Sequence, residues 1–139
     1  MATILEAVGD YIVANTSGAF TYLVNGAGNL RLGIMPETPD AVICLYESAG
    51  SPPTFTMGNG GIAHDYPMVQ VVSRGTADDY LSARDPAVIL RDLLATVTEI
   101  DSNGLHIARI EPFGSINTIG VDGKRRMLVS VNFRCTVRR

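Results

Sequence analysis

The sequence has no tryptophan, two cysteines and few charges: Asp, Glu, Lys and Arg make up 18% of its 139 residues, against about 25% in an ordinary soluble domain. Two cysteines in a chain this long do not make a disulfide framework. Cys44 and Cys135 each sit inside an apolar, strand-like run and read as buried free thiols of a chain made in a reducing compartment. A membrane-spanning run is also missing. The longest uncharged stretch, Tyr11 to Leu30, is broken by Asn15, Thr16, Ser17, Gly18, Asn25, Gly26, Gly28 and Asn29, which excludes it on hydropathy. Met1 to Asp10 carries acids and no basic segment ahead of an apolar one, so no signal peptide is expected. Apolar residues are in good supply. Leu, Ile, Val and Phe number 39, well above the level of about 20% below which chains stay disordered. The length suits one domain over residues 1–139. With mean hydropathy at +0.18, the excess apolar content of so small a domain points to subunit contacts.

The net charge of −3 is unevenly spread. From Lys124 onward there are six basic residues and no acid, whereas the first 123 residues hold 5 basic and 14 acidic groups. Two unlike complementary patches are what head-to-tail contact between copies requires. The acidic body argues against general DNA binding.

Ile4, Leu5, Val8, Tyr11 and Ile12 follow one helical face, predicting a helix from Ala2 to about Val13. Leu30 to Met35 is a short apolar run, and Ala41 to Tyr46, Met68 to Arg74 and Leu105 to Glu111 read as strands. A second helix is expected over Asp78 to about Thr98, with Asp85-Pro86 marking either a second start or a kink. The stretch at about 48–66, with Gly50, Pro52, Pro53 and several further glycines, reads as a long loop. Met127 to Val137 alternates apolar and polar residues, a strand with one buried face. The polar face holds Asn132, Arg134, Thr136 and Arg138. Gly123-Lys124-Arg125-Arg126 before it reads as a hairpin-like turn with solvated charges. The plan is α+β: a mostly antiparallel or mixed sheet with two main helices packed on one face.

Catalytic chemistry has little support. His64-Asp65 is an adjacent pair, and sequence neighbours do not make a base with its orienting carboxylate. Cys44, His64, His106 and Cys135 lack the close ligand pairs of zinc sites. Gly58-Asn59-Gly60-Gly61 and Gly26-Ala27-Gly28 lack the strand-to-helix context of phosphate-binding loops. No catalytic residue, cofactor or metal is expected.

A specific pattern begins at Met35-Pro36-Glu37-Thr38-Pro39-Asp40, which leads into Ala41-Val42-Ile43-Cys44-Leu45-Tyr46-Glu47. Gly50-Ser51-Pro52-Pro53, Tyr66-Pro67-Met68-Val69-Gln70-Val71 and Arg74-Gly75 follow, then Ile89-Leu90-Arg91-Asp92-Leu93-Leu94. Asp122-Gly123-Lys124-Arg125 and Val131-Asn132-Phe133 complete the series. In this order the motifs resemble those of the tail terminator, or tail completion, proteins of long-tailed bacteriophages, often labelled minor capsid proteins. The resemblance runs over nearly the whole chain, with Pro86 and the glycine-rich stretch Thr54 to Ala63 departing from the family pattern.

The resemblance implies a non-enzymatic virion protein with a tail-terminator-like fold, made in the host cytoplasm and placed in the tail or neck. Such proteins form a ring, hexameric in this family, on the end of the tail tube. The ring stops tube growth and offers a surface to head-completion, stopper or connector proteins, with genomic DNA passing only through the lumen and no membrane involved. The interface residues expected on this reading are Pro52, Pro53, Phe55, His64 and Asp65 in the 48–66 segment, with Arg134, Arg138 and Arg139 at the basic end. Two alternatives differ in role: a head-completion or stopper protein of the neck, and a small α+β enzyme or ligand-binding domain using His64 and Asp65.

Overall fold

The structure, a computed structural model, describes residues 3–55, 57 and 61–138. Helix α1 spans Ile4–Asn15. Thr3 caps it: its hydroxyl oxygen accepts from the Glu6 backbone N–H at 3.2 Å, satisfying an otherwise orphaned donor, and its O–H donates to the Glu6 carboxylate at 2.9 Å. Ile4, Ala7, Val8 and Ile12 form its buried stripe. Ser17 and Gly18, both at positive φ, follow its C-terminus.

Helix α2 is one helix, Tyr80–Leu94, with Pro86 inside it. Of the two readings of Asp85-Pro86, a second helix start is therefore excluded and one continuous helix remains. Asp79 is the N-cap and accepts from Ser82 N–H at 3.3 Å. Pro86 removes the bond that Ser82 C=O would otherwise receive. Burial of Ala83, Ala87, Leu90 and Leu94 on one stripe carries the helix through it. The chain enters this helix through Gly75, where a Cβ would lie 2.7 Å from Ala83 N. No side chain fits between strand and helix there.

The strands are β1 (Leu30–Leu32), β2 (Val42–Phe55), β3 (Ile62–Ala77), β4 (Thr98–Ser102), β5 (Leu105–Pro112), β6 (Asn117–Val121) and β7 (Arg126–Arg138). They form one curled mixed sheet in the order β1-β2-β3-β7-β5-β4, with β6 also against β7. Among these strands β1 alone pairs in parallel, with β2. Strand β7 is the centre. Strand β3 lies along one side of it, and the other side is shared by β5 toward the C-terminus and β6 toward the N-terminus. The alternation in β7 places Val129, Val131, Phe133, Cys135 and Val137 in the core. Ile43, Leu45, Val69 and Val71 of β2 and β3 join them, as do the buried stripes of both helices.

Residues 48–55 and 62–66 of the 48–66 segment are strand rather than loop: β2 runs on to Phe55 and β3 begins at Ile62, paired with each other as a two-stranded ribbon. Gly and Pro mislead here because they mark irregularities inside a ladder rather than its end. Register shifts fall between Ser48, Ser51 and Thr54. Gly50 sits at the first of them, where a Cβ would clash with the Tyr66 carbonyl oxygen. Pro52 and Pro53 lie beyond the reach of the short β1, so β2 is an edge strand there and needs no second set of donors. Pro67 falls where the ladder to β2 is already shifted.

Strands β4 and β6 had no strong apolar signal in the sequence. Strand β4 is joined to β5 by Asn103-Gly104, both at positive φ, the hairpin turn that Asn-Gly favours. Strand β1 ends at Gly33, with φ +81. The Asp122–Arg125 turn is a hairpin as expected, closed by Arg125 N–H to Asp122 C=O at 3.0 Å. Its charges are not all solvated, since Arg126 is 3% exposed.

Candidate partner interface

Two groups of side chains stand out. The first fixes the Pro36–Asp40 segment, which carries a cis Thr38–Pro39 bond. The Arg74 guanidinium, 4% exposed, donates to the carbonyl oxygens of Asp40 at 2.9 Å, Glu37 at 3.2 Å and Pro39 at 2.7 Å. Arg126 donates to Glu37 C=O at 2.8 Å, the Asp40 carboxylate at 3.0 Å and the Asp122 carboxylate at 2.8 Å. Lys124 closes the outside with a 2.6 Å pair to Glu37. Burial and the neighbouring Arg126 charge pull the Arg74 pKa down, while Asp122, Glu37 and Asp40 pull it up. The Asp122 carboxyl is held below the usual range by bonds from the Arg126 backbone N–H and guanidinium. The Glu37 carboxyl is held low by Lys124 first and then Arg126. Part of the basic C-terminal run is thus spent inside the chain, pinning a proline turn across two strands.

The second group lies at the other end of β7, where residues facing away from the core meet those of β3 and β5. Arg138 sits opposite His64 on β3 and His106 on β5, and Arg134 sits opposite Met68 and Glu111. The His64 and Tyr66 rings stack at 6.5 Å between centroids, 17° from parallel. The Arg134 guanidinium lies 5.2 Å from the Tyr66 ring centre, a cation–π contact. Arg138 pairs with Glu99 at 3.0 Å, and His106 bridges Glu99 at 2.6 Å and Asp101 at 2.9 Å.

His64, Arg134 and Arg138 therefore share one surface. Asp65 is beside His64 in an extended strand and points to the other face, so the two do not form a dyad. Pro52, Pro53 and Phe55 lie on the distal hairpin, with Phe55 69% exposed. Arg139 lies outside the described residues, as do residues 58–60 of the glycine-rich stretch. Sequence reasoning missed Tyr66, Glu99, Asp101 and His106 as members of this surface. Glu99, Asp101 and His106 meet across the local β4–β5 hairpin, but their approach to Arg138, and that of Tyr66 to Arg134, depends on pairings between strands 30 and more residues apart, which no local period reveals.

Bonds from Glu99 and Asp101 raise the pKa of His106 above its ordinary 6.5, and the His106 bond holds Glu99 low. The imidazolium's contribution is complete below the unfolded value and is lost as pH rises through the elevated folded one. The Glu99 contribution is lost as pH falls through its own lowered value. The cluster is fullest between those limits. An NMR titration of His106 will give a midpoint above 6.5, and Glu99→Gln will bring it down; an unchanged midpoint in that variant contradicts the bond. Both thiols are buried. Burial pushes Cys135 up to about 12 and Cys44 upward as well, so neither is an activated nucleophile.

The chain resembles known proteins in sequence model and in fold. A family model described as bacteriophage tail terminator protein matches residues 4–139. No curated protein matches. Among solved structures, a chain from the virion of a native gene transfer agent particle superposes with a TM-score of 0.68 at 12% identity, covering 98% of this chain and 95% of that one. A second solved chain gives a TM-score of 0.56 at 17% identity, covering 96% of this chain and 89% of that one. At these identities the solved chains establish the fold, and the family model establishes kinship: the chain belongs to the bacteriophage tail terminator proteins, structural phage tail components rather than enzymes.

Proposed function

We propose that this protein forms a ring, hexameric in its family, on the last ring of the tail tube. There it stops polymerisation and gives the head–tail connector its docking surface. Its place is the junction of tail and neck; its partners are further copies of itself, the tail tube protein and a stopper or connector protein. The observation that carries this reading is the family match over residues 4–139. The surface supports it. In this reading both helices cover one face of the sheet, and the polar end of the opposite face is left for neighbouring subunits. Pro52, Pro53 and Phe55 sit on a distal hairpin whose exposed apolar residues include Phe55 at 69%, Met57 at 98% and Ile62 at 40%. Apolar side chains so exposed at one end of a small domain suit burial against a partner. His64, Arg134 and Arg138 extend the interface along β3 and β7; Asp65, on the other face of β3, and Arg139 are further proposed partner contacts. The acidic body suits a lumen through which DNA passes without phosphate contacts to slow it.

The test is to add the purified protein to tail tubes assembling in vitro. Short tubes, each ending in one added ring, are expected. Growth at the same rate and to the same lengths as without the protein overturns the reading.

A further inference from the structure

Most charged side chains of the described chain already have an opposite charge: Arg91 with Asp92, Arg109 with Glu111, Lys124 with Glu37, Arg125 with Asp78, Arg138 with Glu99, and Arg126 with three acids. Among the described residues Arg31, Arg74, Arg84 and Arg134 have no acid within ion-pair distance, and the Arg74 donors are met by carbonyl oxygens. Arg134 differs from the other three in a buried, unmet donor. Its Nε is buried with no acceptor, and among the described residues the guanidinium has one interaction, the Tyr66 ring face. The aromatic contact fixes the position of the cation and leaves its donors unmet, the arrangement of a preorganised carboxylate receptor.

An acid in the complementary state sits at the same level of the sheet. Glu47 is exposed on β2, opposite Val69, and has no partner among the described residues. The neighbouring pair in the ladder, Ser48 and Met68, leads across β3 to Arg134. Ile43 and Leu45 belong to the core, so Glu47 projects from the core side of the sheet just beyond the end of β1. Val131, Phe133 and Cys135 also belong to the core, so Arg134 projects from the other side. One chain thus carries an unpaired anion on one sheet face and an unpaired, prepositioned cation on the opposite face. They cannot meet within a subunit, and they are placed to meet between successive copies related head to tail.

We propose that Arg134 receives the carboxylate of Glu47 from a second copy of this chain. The Arg134–Glu47 pair is then a repeating charge contact that sets the orientation of each subunit against the next around the ring. This deepens the ring reading and rests on it.

The test is a charge swap in the full-length protein. Glu47→Arg and Arg134→Glu are each examined by sedimentation and mass photometry, alone and on tail tubes, after circular dichroism has established that they fold. Each single variant is expected to raise the dissociation constant for self-association by about tenfold or more, and the double variant to restore it. Should Arg134→Glu misfold, exposed Glu47→Arg with Glu47→Gln carries the comparison. The first should weaken assembly by repulsion, the second by loss of attraction alone. Single variants that assemble as wild type overturn the pairing while leaving the ring intact. So does a double variant no better than the singles. If Arg134→Glu leaves assembly unchanged and abolishes retention of a short DNA duplex, the cation serves phosphate and the pairing is wrong. Wild-type protein that forms no ring either free or on tubes is a different failure, which removes the ring reading itself.

Discussion

Val131→Asp will leave no folded protein. Val131 is 1% exposed in the middle of β7, opposite Val71, and shares the core cluster with both helices. A carboxylate there has neither water nor a partner, and unpaired buried charge belongs to the few mechanisms that cost more than about 4 kcal/mol. The whole domain is stable by roughly 5–15 kcal/mol. The strand is also central: β3 runs along one side of β7, and β5 and β6 share the other, so damage in β7 reaches three neighbours. Far-UV circular dichroism and urea denaturation check this, with Asn132→Asp as the control. Asn132 is half-buried on the opposite face, and its substitution is expected to cost less than about 1 kcal/mol. Equal tolerance of both substitutions would mean the two faces of β7 are assigned the wrong way round.

Arg74→Ala comes second. It deletes three hydrogen bonds from one guanidinium to three carbonyls of the 37–40 segment, bonds of the charge-assisted kind that contribute about 1.5–3 kcal/mol each before relaxation. Arg126 still holds Glu37 and Asp40, so the loss is partial, about 3 kcal/mol in all. Arg74→Lys keeps the charge but not the fork that reaches three acceptors, and it recovers only part of the loss. The readouts are the urea midpoint and cleavage after Glu37 by a glutamate-specific protease, which should become fast in the variant. The acids of this group titrate below their usual range, so the stability they add is present above their unfolded pKa and lost as pH falls through the folded one. Wild-type protein will therefore open the same Glu37 site on acidification. A variant with wild-type midpoint and wild-type cleavage would show that the two arginines do not hold this turn.

What was legible in the sequence was whatever a local period or a local turn encodes. The α1 stripe, the alternation of β7, the buried thiols and the Asp122–Arg125 hairpin all belong to that class. The distal hairpin was misread because Gly50, Pro52 and Pro53 carry the signal of a loop. In the folded chain they sit at bulges and on an unpaired edge, where a missing donor or side chain is harmless. Asp85-Pro86 carried a helix-start signal that the burial of Ala83, Ala87 and Leu90 overrode. Arg126 looked like one of three solvated turn charges. Only the long-range approach of Glu37 and Asp40 makes it a buried one. The interface was half legible for the same reason. The alternation of β7 puts Arg134 and Arg138 on one face, whereas the approach of Tyr66, Glu99 and His106 depends on three different strands coming together.

The central claim, control of tail length, is tested most directly by deleting the gene from its phage and measuring the resulting particles by negative-stain microscopy. The account predicts tail tubes of variable and excessive length, lying apart from DNA-filled heads. Tails of normal length beside unjoined heads would contradict it and move the protein to head completion.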